Sequence, residues 1–169
     1  MEKHELKALL LLQHGNYIES IQSLNAGQLL IASPGKWSAV QLLDHIVRSV
    51  SPVSTALSLP AFLLRLIFGT ANRKSRSYEE LVARYHSKLK AGGRASGRFV
   101  PPPKTDSVEK LSANLTKVVH VLTRRIDRFS ETQLDQLILP HPLLGKLTLR
   151  EMLYFTIYHV QHHQKQLIS

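Results

Sequence analysis

Apolar residues recur at helical spacing in four stretches of about twenty residues each. In the first, near 3–25, Leu6, Leu10, Tyr17, Ile21 and Leu24 fall on one face. The second begins at Trp37, where Ser38 and Gln41 read as a capping box and Trp37 and Leu42 as a hydrophobic staple. The third, near 106–129, aligns Leu111, Leu115, Val118, Leu122 and Phe129, and Asp106 with Glu109 forms a similar start signal. The fourth opens on Thr148 and Glu151, stapled by Leu147 and Met152. Its stripe runs Leu149, Met152, Thr156, His159, His163 and Leu167, three or four residues apart throughout. Capping accounts for Glu151 without invoking chemistry. Apolar/polar alternation of useful length is missing, so strands are not expected.

Four such segments predict an all-α four-helix bundle, a single domain over 1–169. Between the second and third lies an insertion, about 60–105, long enough for those two helices to run parallel. It holds a short apolar piece ending at Phe68 and a basic link, Asn72–Arg76. A helix-like stretch opening on Ser77 and Glu80 follows, then a glycine- and proline-rich loop that stops any helix.

Charge and composition narrow the functional classes. The chain carries a formal net charge of +10, concentrated at 65–98, where nine Lys/Arg face two Asp/Glu. A solvated face, a selector for an anionic substrate and an anionic membrane surface all fit that segment. The apolar piece at Phe62–Phe68 suits packing on its own bundle, a homodimer contact or such a surface. Nucleic-acid binding has the charge but lacks interleaved aromatics and a recognition helix. There is no cysteine, so any soft-metal chemistry must use histidine, and a reducing cytoplasm is expected. The N-terminus breaks its apolar run with Gln13 and His14, unlike a signal peptide, and no apolar stretch reaches the length of a spanning helix.

The nine histidines are not equivalent. His159 and His163, four apart, sit about 40° apart around a helix, so their rings converge. Both continue the core-facing stripe, whereas His162 falls in line with Glu151, Phe155, Tyr158 and Gln166. Buried imidazoles side by side need a shared partner, and a divalent metal meets that need. Zinc or nickel suits such a donor set best, with iron or manganese as alternatives. The third ligand should interrupt another apolar face, as His45 does among Leu42, Leu43, Ile46 and Val50. His14 and Gln13 flank the first stripe and could approach as supporting groups, as could His162. His120 is expected in solvent, His4 and His86 among charges, and His141 in a turn. Asp44 diverges from His45 and reads as a surface charge.

The Lys36-Trp37-Ser38 entry to a helix bearing one histidine is joined downstream by Gly145-x-x-Thr148-x-x-Glu151 before a helix ending His159-x-x-x-His163. Together they resemble the DinB-like superfamily of bacterial metal-binding four-helix bundles. The resemblance covers the chain outside 60–105. It implies an up-down-down-up bundle and a facial triad matching His45, His159 and His163, with coordination positions left open. It further implies a thiol-dependent transferase or metal-dependent hydrolase with a small-molecule substrate, for instance a low-molecular-weight thiol, while the basic segment would suit an anionic one. A non-enzymatic bundle with a structural metal, or with none, is the competing expectation.

Overall fold

The computed structural model describes residues 1–32 and 35–167. Pro34, just ahead of the Lys36-Trp37-Ser38 entry, and the last two positions of the expected domain lie outside the described residues. In chain order the elements are α1 (Lys3–Gln22), α2 (Ala26–Leu30), α3 (Ala39–Ala56), α4 (Ala61–Phe68) and α5 (Tyr78–Lys90). After a single 3-10 turn at Gly97–Phe99 come α6 (Val108–Ile126), α7 (Glu131–Gln136), β1 (Ile138–His141), β2 (Gly145–Thr148) and α8 (Leu149–Leu167).

Helices α1, α3, α6 and α8 form the bundle, and contacts at their ends give their directions. Gln164 near the end of α8 donates to Ser20 near the end of α1, and Arg150 at its start donates to the Met1 carbonyl. These two helices run parallel. Lys7 pairs with Asp127 just past α6, so α6 opposes α1. Arg125 at the end of α6 donates to the Ser54 carbonyl near the end of α3, which makes α3 and α6 parallel. The order is up-down-down-up, with α4 and α5 in the crossover, as expected.

Capping sets where the helices begin. Ser38 accepts from the Gln41 N–H at 3.3 Å while Gln41 returns a bond to the Ser38 N–H at 3.0 Å. Ser77 with Glu80 and Thr148 with Glu151 make the same reciprocal pairs. Ser38→Ala should therefore cost about 1 kcal/mol. Urea titration checks this, and an unmoved midpoint would contradict the cap's contribution.

Several expectations need correction. The first helix stops at Gln22, because Asn25 opens α2 with its own capping box. Helix α6 starts one residue later than expected, capped by Ser107, and Asp106 instead pairs with Lys110. Val119, not Val118, is the buried position on its stripe. A two-stranded antiparallel hairpin pairs Ile138 with Thr148 and His141 with Gly145, where no strand was expected. Each strand is only four residues, too short for alternation to register against the helical background.

The crossover is fastened to α8 at its start. Glu151 is fully buried and accepts both terminal nitrogens of Arg73, at 2.6 and 2.8 Å, and the Arg76 backbone N–H at 2.8 Å. Two of the three cations of the basic link thus pair with Glu151 within the fold. Burial alone would raise the Glu151 carboxyl; the Arg73 guanidinium and the N–H groups of Arg76 and Thr148 outweigh it and hold it below its usual range. Leu64 anchors α4, while Phe62, Leu66 and Ile67 stay exposed. Among the described residues no single helix is long and apolar enough to cross a membrane.

Candidate metal centre

The capped start of α3 fixes its rotation, which points Leu43, Ile46 and Val50 into the core and turns His45 toward α8. From α8, His159 and His163 project one turn apart on the buried stripe. All three imidazoles are buried, between 4% and 7% exposed, and one nitrogen from each lies within 4.8 Å of the other two. The His45 and His159 Nε2 atoms are 3.2 Å apart, and those of His159 and His163 are 3.0 Å apart.

The opposite nitrogens decide what these contacts mean. His45 Nδ1 lies 2.7 Å from the Phe99 carbonyl oxygen, which can only accept, so Nδ1 carries the proton. His163 Nδ1 likewise faces Gln166 Oε1 at 2.9 Å. Both rings therefore present bare Nε2 lone pairs toward His159. A shared proton would relieve one such contact and leave the other. A cation relieves both. Nitrogens each about 2.1 Å from one ion stand about 3.0–3.4 Å apart, the spacing found here for two of the three pairs, so the donor set fits a divalent metal.

Burial also selects the ligating protonation state. It pushes His163 down to about 3 and, with the neighbouring His163 and His45 rings, holds His159 well below the usual imidazole range. Burial lowers His45 too, against the raising effects of the Phe99 carbonyl and Asp44. Neutral imidazole is the form that binds metal. Among the described residues no fourth His, Asp or Glu joins the three. The triad instead opens onto a cavity of about 780 Å³.

The other histidines divide sharply. His162 lines the cavity, and Gln166 links it to His163 by placing Nε2 3.2 Å from His162 Nε2. His14 is buried on α1 with its Nδ1 donating to the Leu10 carbonyl; neither it nor Gln13 lines the cavity. His120 and His4 are exposed. His86 is half-buried, with its Nε2 2.6 Å from the Tyr158 hydroxyl. Asp44 is buried and held by Arg48 at 2.7 Å, so it is not the surface charge expected.

His141, expected in a turn, ends β1 and faces the same cavity. Its Nδ1 accepts from the backbone N–H of Leu143 and Leu144, at 3.1 and 3.0 Å, which leaves the proton on Nε2. Burial lowers its pKa to about 4, so the ring stays neutral. It packs edge-on against Phe155, which stacks on His159. Trp37 leans on His45, and Tyr85 from α5 covers His159 and His162. The Pro142 turn between two short strands was the available signal for His141, and helical phasing could not use it.

A family model described as the DinB superfamily matches residues 10–167. Among solved structures, YfiT from Bacillus subtilis is similar, with 17% identity and a TM-score of 0.66 over 99% of this chain and 84% of that one. It is described as a probable metal-dependent hydrolase with an unusual four-helix bundle topology, and at that identity the likeness speaks for the fold. No sequence among curated proteins matches. The family match spans the four bundle helices and includes all three converging histidines, and the chain belongs to the DinB superfamily.

Proposed function

We propose that the chain binds one divalent metal ion through His45, His159 and His163 and uses it to hydrolyse a small molecule held in the adjoining cavity. The observation that carries this is the convergence of three Nε2 atoms beside open space, two of them on rings whose Nδ1 is already donating. Three protein ligands and an open side are the arrangement of a catalytic centre, whereas a structural site is closed by a fourth. Zinc or nickel suits three imidazoles. When bound, such an ion supplies Lewis acidity, polarising a carbonyl or favouring the deprotonated form of a water or thiol.

The protein's own groups do the rest. The Phe99 carbonyl and Gln166 hold the His45 and His163 rings in the ligating tautomer. His141, neutral and protonated on Nε2, offers a donor to a substrate oxygen. Trp37, Tyr85 and Phe155 restrict water around the triad. Similarity to a protein described as a probable metal-dependent hydrolase favours hydrolysis over thiol-dependent transfer. A reducing, cytoplasmic setting suits a chain without cysteine.

Protein prepared without a nickel column should contain about one zinc or nickel ion per chain by elemental analysis. Removing that ion should abolish turnover across a panel of small esters and amides, with or without added low-molecular-weight thiols. Turnover that persists in metal-free protein would overturn the reading. Turnover that strictly requires an added thiol would replace hydrolysis by transfer.

A further inference from the structure

The cavity is much longer than a metal centre needs. Leu42, His45, Ser49, Pro52, Val53 and Ala56 form one continuous stripe of α3 along its wall. From His45 to Ala56 is eleven residues, about 16 Å of helix. Beyond Ser49 the α3 residues lining it, Pro52, Val53 and Ala56, are apolar, as are Phe68, Leu139 and Met152 in the same lining.

The other end has the opposite character. Lys36, Arg94 and Arg98 line it, all exposed. Lys36 adjoins Trp37, whose ring rests on His45 at 4.9 Å, and Arg98 adjoins Phe99, whose carbonyl holds His45. Among the described lining residues there is no Asp or Glu, and none of the three cations is in an ion pair. A cationic mouth with an apolar arm leading away, and the triad between them, is complementary to one kind of molecule.

We infer that the cavity takes an anionic amphiphile, an ester or amide joining a long apolar acyl arm to a carboxylate-bearing group, with the scissile bond at the triad. This deepens the hydrolytic reading and rests on it for the reaction. Water would supply its hydroxyl to the acyl carbon and a proton to the departing amine or alcohol as the C–N or C–O bond breaks. The products are a fatty acid and a small carboxylate-bearing amine or alcohol.

The test uses N-lauroylglycine as probe, below its micelle threshold, in calorimetric titration of the full chain. N-Lauroylethanolamine keeps the arm without the charge, and N-acetylglycine keeps the charge without the arm. The probe should bind saturably and at least about tenfold more tightly than either comparator, a difference of about 1.4 kcal/mol. Arg94→Gln with Arg98→Gln should remove the preference over N-lauroylethanolamine, and Ala56→Trp should remove that over N-acetylglycine. Both arginines are exposed, so the paired variant reads the charge even if the tryptophan variant fails to fold. Equal binding of either comparator, or no saturable binding, would overturn the substrate class.

Metal content measured on the same samples separates the two readings. One ion per chain without probe selectivity overturns the substrate class alone. Selectivity without metal uptake upholds the ligand class and removes the reaction.

Discussion

His45→Ala and His163→Ala should each weaken zinc affinity by more than about 100-fold, measured by competition with a chromogenic chelator. Each substitution removes one of three ligands, and no fourth His, Asp or Glu stands among the described residues to replace it. His162→Ala should leave affinity within about tenfold, because its ring meets the triad through Gln166 and an edge contact with His163 and is not itself one of the three converging donors. Gln166→Ala should cost an intermediate amount, since it frees the His163 ring to turn. The pH response follows from burial. Free imidazole takes up protons through about 6.5, whereas His163 is pushed down to about 3 and His45 and His159 are also lowered. Zinc affinity should therefore fall less on acidification from neutral pH than it would for three free imidazoles, since all three rings resist protonation. If His162→Ala does the damage and His163→Ala does not, the assignment of ligands is wrong.

The second large effect concerns stability. Glu151→Ala should cost about 3 kcal/mol or more, read as a lowered urea midpoint. It leaves Arg73 and Arg76 without their buried counter-charge and strips α8 of the reciprocal Thr148–Glu151 cap. Glu151→Gln keeps the volume and part of the cap, so it should fall between wild type and alanine. The pH dependence has a definite sign. Because the carboxyl is held below its unfolded value, its contribution is complete above that unfolded value and is lost as pH falls through the folded one. The alanine variant should therefore lose less stability on acidification than the wild type. A variant whose midpoint barely moves would mean that Arg73 and Arg76 find equivalent solvation elsewhere, contradicting the clamp.

Much of the site was legible because helices convert spacing into direction. The four-residue interval between His159 and His163, and the placement of His45 within an apolar face, were enough to bring three rings together. The caps at Ser38, Ser77 and Thr148 were legible for the same reason: they use specific side chains at fixed offsets. What stayed hidden depends on contacts without a side-chain signature. The group that orients His45 is a backbone carbonyl at Phe99, fifty-four residues away, which any residue could supply. His141 depends on the geometry of a hairpin too short to show a period. Asp44 is buried by tertiary packing, and α8 is buried on nearly all sides because α5 lies across the face that amphipathicity would leave to water.

The parallel run of α3 and α6 also has an electrostatic consequence. Two helices that end side by side bring two partial negative poles together, each about half an elementary charge. Antiparallel neighbours would cancel these poles; here they add. Arg125 donates to the Ser54 carbonyl and side chain, and Arg128 to the Ser58 carbonyl just past α3, so guanidinium charge sits where the dipoles accumulate. Part of the chain's excess of positive charge thus serves its topology, and Lys36, Arg94 and Arg98, which line the cavity, are a separate population.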